Sequence, residues 1–234
     1  MAQELTATIK EVIQRTYNVK SIRLDIGVKA DFKAGQFLAV TLQNNPALKK
    51  YLSISSSPTE ECYLEFTKKL TESDFSRVLN QLKSGDTVNI QYPFGKFILG
   101  EPAADLAFLS GGIGITPIRS IAKYVVDKNL GTDMVLVYAN RSLKDIVFKD
   151  DFDAMQKIYP KIKVAHVLCE ASPGFKCTPG LINAQVIKNE VSDYLKRKFY
   201  LCGPPQMVEA MEKLLVQELS VGKTSIVTEN FQGY

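Results

Sequence analysis

Two short segments carry the clearest chemical signal. SGGIGITPIRS at 110–120 and FYLCGPPQMVEAM at 199–211 each end an apolar run and open a helix-like one. Glycines at such a turn let the backbone approach a pyrophosphate, and the helix start offers unpaired N–H groups to it. Pro117 suits a first helical turn. The spacing is not GxGxxG, so the common dinucleotide fingerprint is not met, and the first loop alone also fits a tight strand–helix turn. In open α/β sheets ligands bind beyond the carboxyl ends of strands, so two such loops on one sheet edge are far more specific than either. Other chemistries find little support. The four cysteines, at 62, 169, 177 and 202, form no CxxC pair or compact cluster, which argues against zinc and iron–sulfur sites. The single histidine, His166, sits in the apolar run VAHVL, which suits packing better than a catalytic triad.

The elements that must hold these loops fall into two periodicities. In the first hundred residues apolar positions alternate, as in SIRLDI (Ile22, Leu24, Ile26), YLEFT (Leu64, Phe66) and TVNIQY (Val88, Ile90, Tyr92). Period-2 alternation predicts half-buried strands, with turns at Gly35 and 84–86. One helix is expected over 73–83, capped by Ser73 or Asp74. Short strands with one helix predict a small antiparallel barrel. After Pro102 five apolar strands, DLAFLS, MVLVYAN, KIKVAHVLC, KFYLCG and TSIVTENF, alternate with helical segments. That order predicts an α/β domain with a parallel five-stranded sheet covered on both faces. GEPAAD at 100–105 marks the boundary, giving domains 1–101 and 102–234.

Composition agrees with a soluble fold: 234 residues, 45% hydrophobic and 23% charged. No apolar run is long enough to span a bilayer, and the first ten residues lack the order of a signal peptide, so a cytoplasmic protein is expected. The net charge of +4 is dispersed, unlike the basic stripe of a nucleic-acid binder.

AGQFLAV, SISSSP, SGDTVNIQYPFGKF, GGIGITPIRS, CGPPQM and the terminal TENFQGY occur in the order seen in the ferredoxin-NADP reductase superfamily, which the chain resembles over essentially its whole length. The resemblance implies an N-terminal antiparallel six-stranded β-barrel that binds flavin and a C-terminal nicotinamide domain. By position, Ser53 corresponds to the serine of the family's R-x-Y-S segment near flavin N5, and Lys50 to its phosphate-binding arginine. The family tyrosine is then Leu52, with Tyr51 next door, facing inward only if a bulge brings it there. Phe66, Thr67 and Lys68 lie on the strand beside the flavin, Ser76 faces the pyrophosphate, and Gly95 turns near the cofactor. Gly112, Gly114 and Thr116 cradle the nicotinamide nucleotide; Cys202, Gly203 and Pro204 lie near its ring. Glu229 and Phe231 match the acidic–aromatic terminal strand, and Tyr234 either covers the flavin or belongs to a loose terminus.

The implied activity is hydride transfer from nicotinamide C4 to flavin N5, with Ser53, Cys202 and Glu229 as the catalytic group. FAD is expected, with FMN as the alternative, because the start of the 73–83 helix suits a pyrophosphate. Glu170 disfavours a 2′-phosphate and Arg141 favours one; the balance points to NADH over NADPH. A separate acceptor follows: a ferredoxin, a flavodoxin, a haem protein, an oxygenase component or a small molecule. Two other readings are a flavin reductase using diffusible flavin and a non-catalytic flavin- and nucleotide-binding regulatory subunit.

Overall fold

A computed structural model describes residues 2–100, 105–170 and 172–230. The expected junction at 101/102, and Phe231 and Tyr234, lie outside the described residues.

The N-terminal half is one sheet of six antiparallel strands: β1 (Gln3–Thr16), β2 (Val19–Asp25), β3 (Phe37–Thr41), β4 (Lys49–Ser53), β5 (Leu64–Lys69) and β6 (Thr87–Phe94). Their order is β4-β3-β6-β1-β2-β5, and an antiparallel bridge between Ile54 and Phe66 joins the two edges into a barrel. The alternating residues fill it: Ile22, Leu24, Leu64, Phe66, Val88, Ile90 and Tyr92 are buried. β1 is the strand that alternation conceals. Its pairing with β2 shifts register at Ile9/Glu11 and Gln14/Thr16, so the inward set changes parity partway along. Helix α1 (Asp74–Gln81) is capped by Ser73, whose Oγ accepts from the Ser76 N–H.

The second half alternates β7 (Leu106–Gly111), α2 (Ile115–Lys128), β8 (Met134–Asn140), α3 (Lys149–Ile158), β9 (Ile162–Leu168), β10 (Thr178–Pro179), α4 (Ala184–Glu190), β11 (Lys198–Gly203), α5 (Pro205–Lys213) and β12 (Ile226–Asn230). The sheet is parallel, in the order β10-β9-β8-β7-β11-β12. The two-residue β10 adds a sixth, edge strand to the five that apolar runs reveal, being too short to carry a pattern. Alternate residues of β7 serve different cores. Leu106 and Phe108 pack with α2 and α3; Ala107 and Leu109 pack with α4 and α5. The strand order reverses between β7 and β11, so the crevice beyond their carboxyl ends is the sheet's switch point.

The two halves are joined by buried polar contacts. Arg119 of α2 is 3% exposed. It donates to the Ser55 carbonyl (3.0 Å), Glu60 Oε1 (3.0 Å) and Asp151 Oδ1 (2.8 Å). Asp151 also meets Arg15 (3.6 Å), which binds Glu65 (3.1 Å), which binds Arg23 (3.0 Å). Charges alternate along this chain from one half to the other. Burial opposes the charge on Glu60, but Arg119 outweighs it and holds that carboxyl below its usual range.

Candidate functional site

The loops after β7 and β11 meet at the switch point. Gly112 adopts φ +52°, a left-handed turn that glycine favours. Gly114 packs so closely on the neighbouring strand end that a Cβ there would lie 2.2 Å from the Cys202 carbonyl oxygen and 2.7 Å from Gly203 Cα. Gly111 packs similarly, with Met207 Sδ 2.3 Å from where a Cβ would stand. Gly114 thus locks the two loops backbone to backbone, whereas Gly111 makes room for the Met207 side chain. Beside them opens a cavity of about 550 Å³ whose lining includes Gly112, Arg141, Cys169, Pro204 and Met207. Gly114, Thr116, Cys202 and Gly203 lie behind that lining, buried. The Thr116 hydroxyl donates to the Ile113 carbonyl at 3.1 Å and so fixes the turn. Arg141 and Glu170, which pulled in opposite directions in the sequence, form one ion pair at 2.7 Å on the cavity rim.

A second cluster forms where the barrel meets the sheet edge. Parallel pairing sets Cys202 of β11 beside Glu229 of β12. Burial raises the Glu229 carboxyl to about 7, a shift that the nearby Ser53 hydroxyl partly offsets. Burial, and then Glu229, push the Cys202 thiol well up, so it is no thiolate nucleophile. Ser53 Oγ and Glu229 Oε2 are both buried, and neither reaches hydrogen-bond geometry with any group among the described residues. Two orphaned buried polar atoms converging from β4 and β12 are what a bound group with its own donors and acceptors would satisfy. The flavin ring edge is such a group, so the residues present fit it.

The face of β4 needs one correction. Leu52 packs toward the barrel core, so it is not the residue that covers a ring. Tyr51, not Leu52, shares a face with Ser53, and no bulge is needed for that. The β3–β4 register is continuous, and residues 51 and 53 share a face because strand side chains alternate. Tyr51 is 62% exposed and edges onto Phe37 (5.9 Å) and Phe94 (6.3 Å). Gly95, at φ +99°, lies against the same Phe37 ring. By the same alternation Lys49 joins this face; its Nζ stands 5.8 Å from the Tyr51 ring and donates to Gln91. Lys50 stands near Lys68 instead. Burial depresses the Lys68 ammonium to about 8, with Lys50 and Lys69 adding to the effect. Lys68 Nζ donates to the Lys69 carbonyl at 2.6 Å. Phe66 and Thr67 do not present side chains to the crevice. Phe66 fills the barrel, and the Thr67 hydroxyl is tied to Ser21 (2.6 Å) and Ser55 (2.8 Å). Ser76 is 1% exposed and its hydroxyl is tied to Thr71 and to the capping Ser73, so it faces no crevice.

Sequence reading missed Arg119, Glu60, Asp151, Arg15 and Glu65. Arg119 left a trace, as one charge within the apolar face of TPIRSIAKYVV, but its partners lie far away in the chain. No group of residues able to hold a metal ion occurs among the described residues. No helix among them is long and apolar enough to cross a membrane.

Comparison with known proteins agrees with this geometry. Residues 6–98 match the oxidoreductase FAD-binding domain, and residues 108–213 match the oxidoreductase NAD-binding domain. The chain is 32% identical over 218 residues to the glycine betaine monooxygenase reductase subunit of Pseudomonas aeruginosa, covering 88% of this chain and 58% of that one. It is 30% identical over 203 residues to NADH-cytochrome b5 reductase 1 of Mortierella alpina, covering 83% and 67% respectively. The chain thus spans less than two thirds of the Pseudomonas relative. Among solved structures, the Amycolatopsis cytochrome P450 reductase superposes with a TM-score of 0.86 at 23% identity, over 98% of this chain and 70% of that one. The cytochrome b5 reductase domain of Ulva prolifera nitrate reductase gives 0.86 at 20% identity, over 97% of each chain. With its barrel, its switch-point loops and both domain matches in one chain, this protein belongs to the ferredoxin-NADP reductase superfamily.

Proposed function

We propose that this chain is an NAD(P)H-dependent flavoprotein reductase that takes hydride from NADH, in preference to NADPH, and delivers electrons to a separate acceptor. The carrying observation is the convergence of Ser53, Cys202 and Glu229 beside a nucleotide-sized cavity at the switch point. Bound FAD supplies a hydride acceptor and a donor of single electrons. The chain's own part is positional and protonic. The interlocked Gly112–Gly114 and Cys202–Pro204 loops hold the nucleotide with its nicotinamide toward Cys202. Small, buried and un-ionised, the Cys202 side chain leaves room for the ring. Ser53 Oγ offers a hydrogen bond at the flavin edge, and Glu229, poised near neutral pH, holds or releases a proton there. Tyr51 covers the flavin, and Lys49, on the same face of β4, is the cation placed to meet its phosphate. The Arg141–Glu170 pair supports the NADH preference, since Glu170 neutralises the arginine that a 2′-phosphate would need.

The acceptor belongs to the class served by the relatives, an oxygenase component or a haem protein, with a ferredoxin or flavodoxin as further candidates. We place the barrel domain at 1–101, the nucleotide domain at 102–234, and the protein in the cytoplasm. Four cysteines without a disulfide suit that compartment. Lysines stand where the family uses an arginine, and Tyr51 is exposed; both favour a second reading, a flavin reductase with diffusible flavin. Release and identification of the flavin, followed by anaerobic titration with NADH and NADPH, tests the first reading. Bleaching of protein-bound FAD by NADH supports it. Flavin lost on gel filtration but reduced when added in excess favours the second. No bleaching by either nucleotide refutes both.

A further inference from the structure

The tip of the β1–β2 hairpin belongs to the barrel in sequence but not in packing. Val19 is 3% exposed and packs in the hydrophobic cluster of the α/β half. Beside it Tyr17 is 63% exposed, on the wall of the same cavity that Gly112, Arg141 and Pro204 line. Its hydroxyl donates to Asp145 Oδ1 at 2.8 Å, on the turn that follows β8. Asp145 is itself fixed, since its Oδ2 accepts from the Ser142 N–H (3.1 Å) and hydroxyl (2.5 Å). Lys144 Nζ stands 5.6 Å from the ring centroid. Most of an aromatic ring is thus left in the open while its position is set from both halves of the molecule. A ring with a preset orientation and a bare surface is suited to stack a flat partner with little ordering cost. Its place in the cavity says which partner. Tyr17 shares the field of Arg141 and Asp145, near the Arg141–Glu170 rim, whereas Cys202 and Glu229 mark the reacting end elsewhere.

We propose that Tyr17 is the stacking platform for the adenine of the nicotinamide dinucleotide, so that the flavin half supplies one wall of the nucleotide site. The proposal rests on the nicotinamide-dependent reading above. The nucleotide then bridges the two halves, and its adenosine end reports on how the barrel hairpin is seated.

The test compares wild type with Y17A, Y17L and Y17F, each loaded with flavin and matched by flavin absorbance. The probes are NADH, 5′-AMP as a competitor, and reduced nicotinamide mononucleotide, which lacks the adenosine. A base–aromatic stack corresponds to a change of about tenfold in affinity. Y17A and Y17L are therefore expected to weaken NADH and 5′-AMP by about tenfold, with kcat at saturating NADH and the mononucleotide's KM unchanged. Y17F keeps the ring and is expected to stay within about threefold of wild type. Unchanged 5′-AMP binding in Y17A or Y17L overturns the proposal, as does equal weakening of 5′-AMP and the mononucleotide, which marks a distorted pocket. Wild type that binds neither NADH nor NADPH overturns the functional reading and this proposal together.

Discussion

Glu229→Gln separates burial from chemistry at the centre of the site. Burial lifts the Glu229 carboxyl from the ordinary 4.5 to about 7. Below pH 4.5 the group is protonated in both folded and unfolded chains and does not affect stability. Between pH 4.5 and 7 the unfolded chain ionises while the folded one keeps its proton, so wild type loses stability as pH rises. Above about 7 the loss is complete. At 1.36 kcal/mol per pKa unit it amounts to about 3 kcal/mol. Glutamine mimics the protonated form and carries no such cost. Glu229→Gln is thus expected to exceed wild type by only about 1 kcal/mol at pH 5 and by about 3 kcal/mol at pH 8, where Tm should be higher by roughly 6–12 °C. Thermal unfolding of both proteins at the two pH values, at matched flavin content and ionic strength, reads this directly. A stability difference that does not change between pH 5 and pH 8 refutes the argument that burial sets this carboxyl's pKa.

Four further outcomes follow from the geometry. Ser53→Ala removes a buried, unpartnered hydroxyl, so stability holds or rises slightly while single-turnover flavin reduction by NADH slows about tenfold; stopped-flow absorbance measures it. Gly114→Ala forces a methyl into the Cys202 backbone, which cannot yield as a flexible side chain would. A rise in the KM for NADH together with destabilisation of about 1–3 kcal/mol is expected from kinetics and denaturant melts. Glu170→Gln frees Arg141 for a 2′-phosphate, and the NADPH-to-NADH ratio of kcat/KM should climb roughly threefold to tenfold. Arg119→Ala strands Glu60 and Asp151 in the domain interface, with a loss of about 3–5 kcal/mol in denaturant unfolding.

Much of this protein was legible because the signals are local. Alternation at Ile22, Leu24, Val88 and Ile90 needs only a pleated strand with one wet face, and the apolar runs from DLAFLS to KFYLCG need only a sheet covered on both sides. The glycine loops could be placed on one edge of the sheet because every strand there is parallel, so all strand ends followed by helix starts lie together. Where a bulge changes parity, as in β1, the same reasoning failed.

What the sequence alone determined was therefore the two domains and the one sheet edge on which both glycine loops lie. Only the tertiary structure decided which side of β4 faces the barrel core, sending Leu52 there and leaving Tyr51 on the face it shares with Ser53. It alone joined Arg141 to Glu170, 29 residues apart, and Arg119 to Glu60, 59 apart. It alone carried Tyr17 across to Asp145, 128 residues away. Strand and loop patterns record what each residue does to its chain neighbours. Ion pairs and cavity walls depend on how the two domains are seated on each other, and no local period encodes that distance.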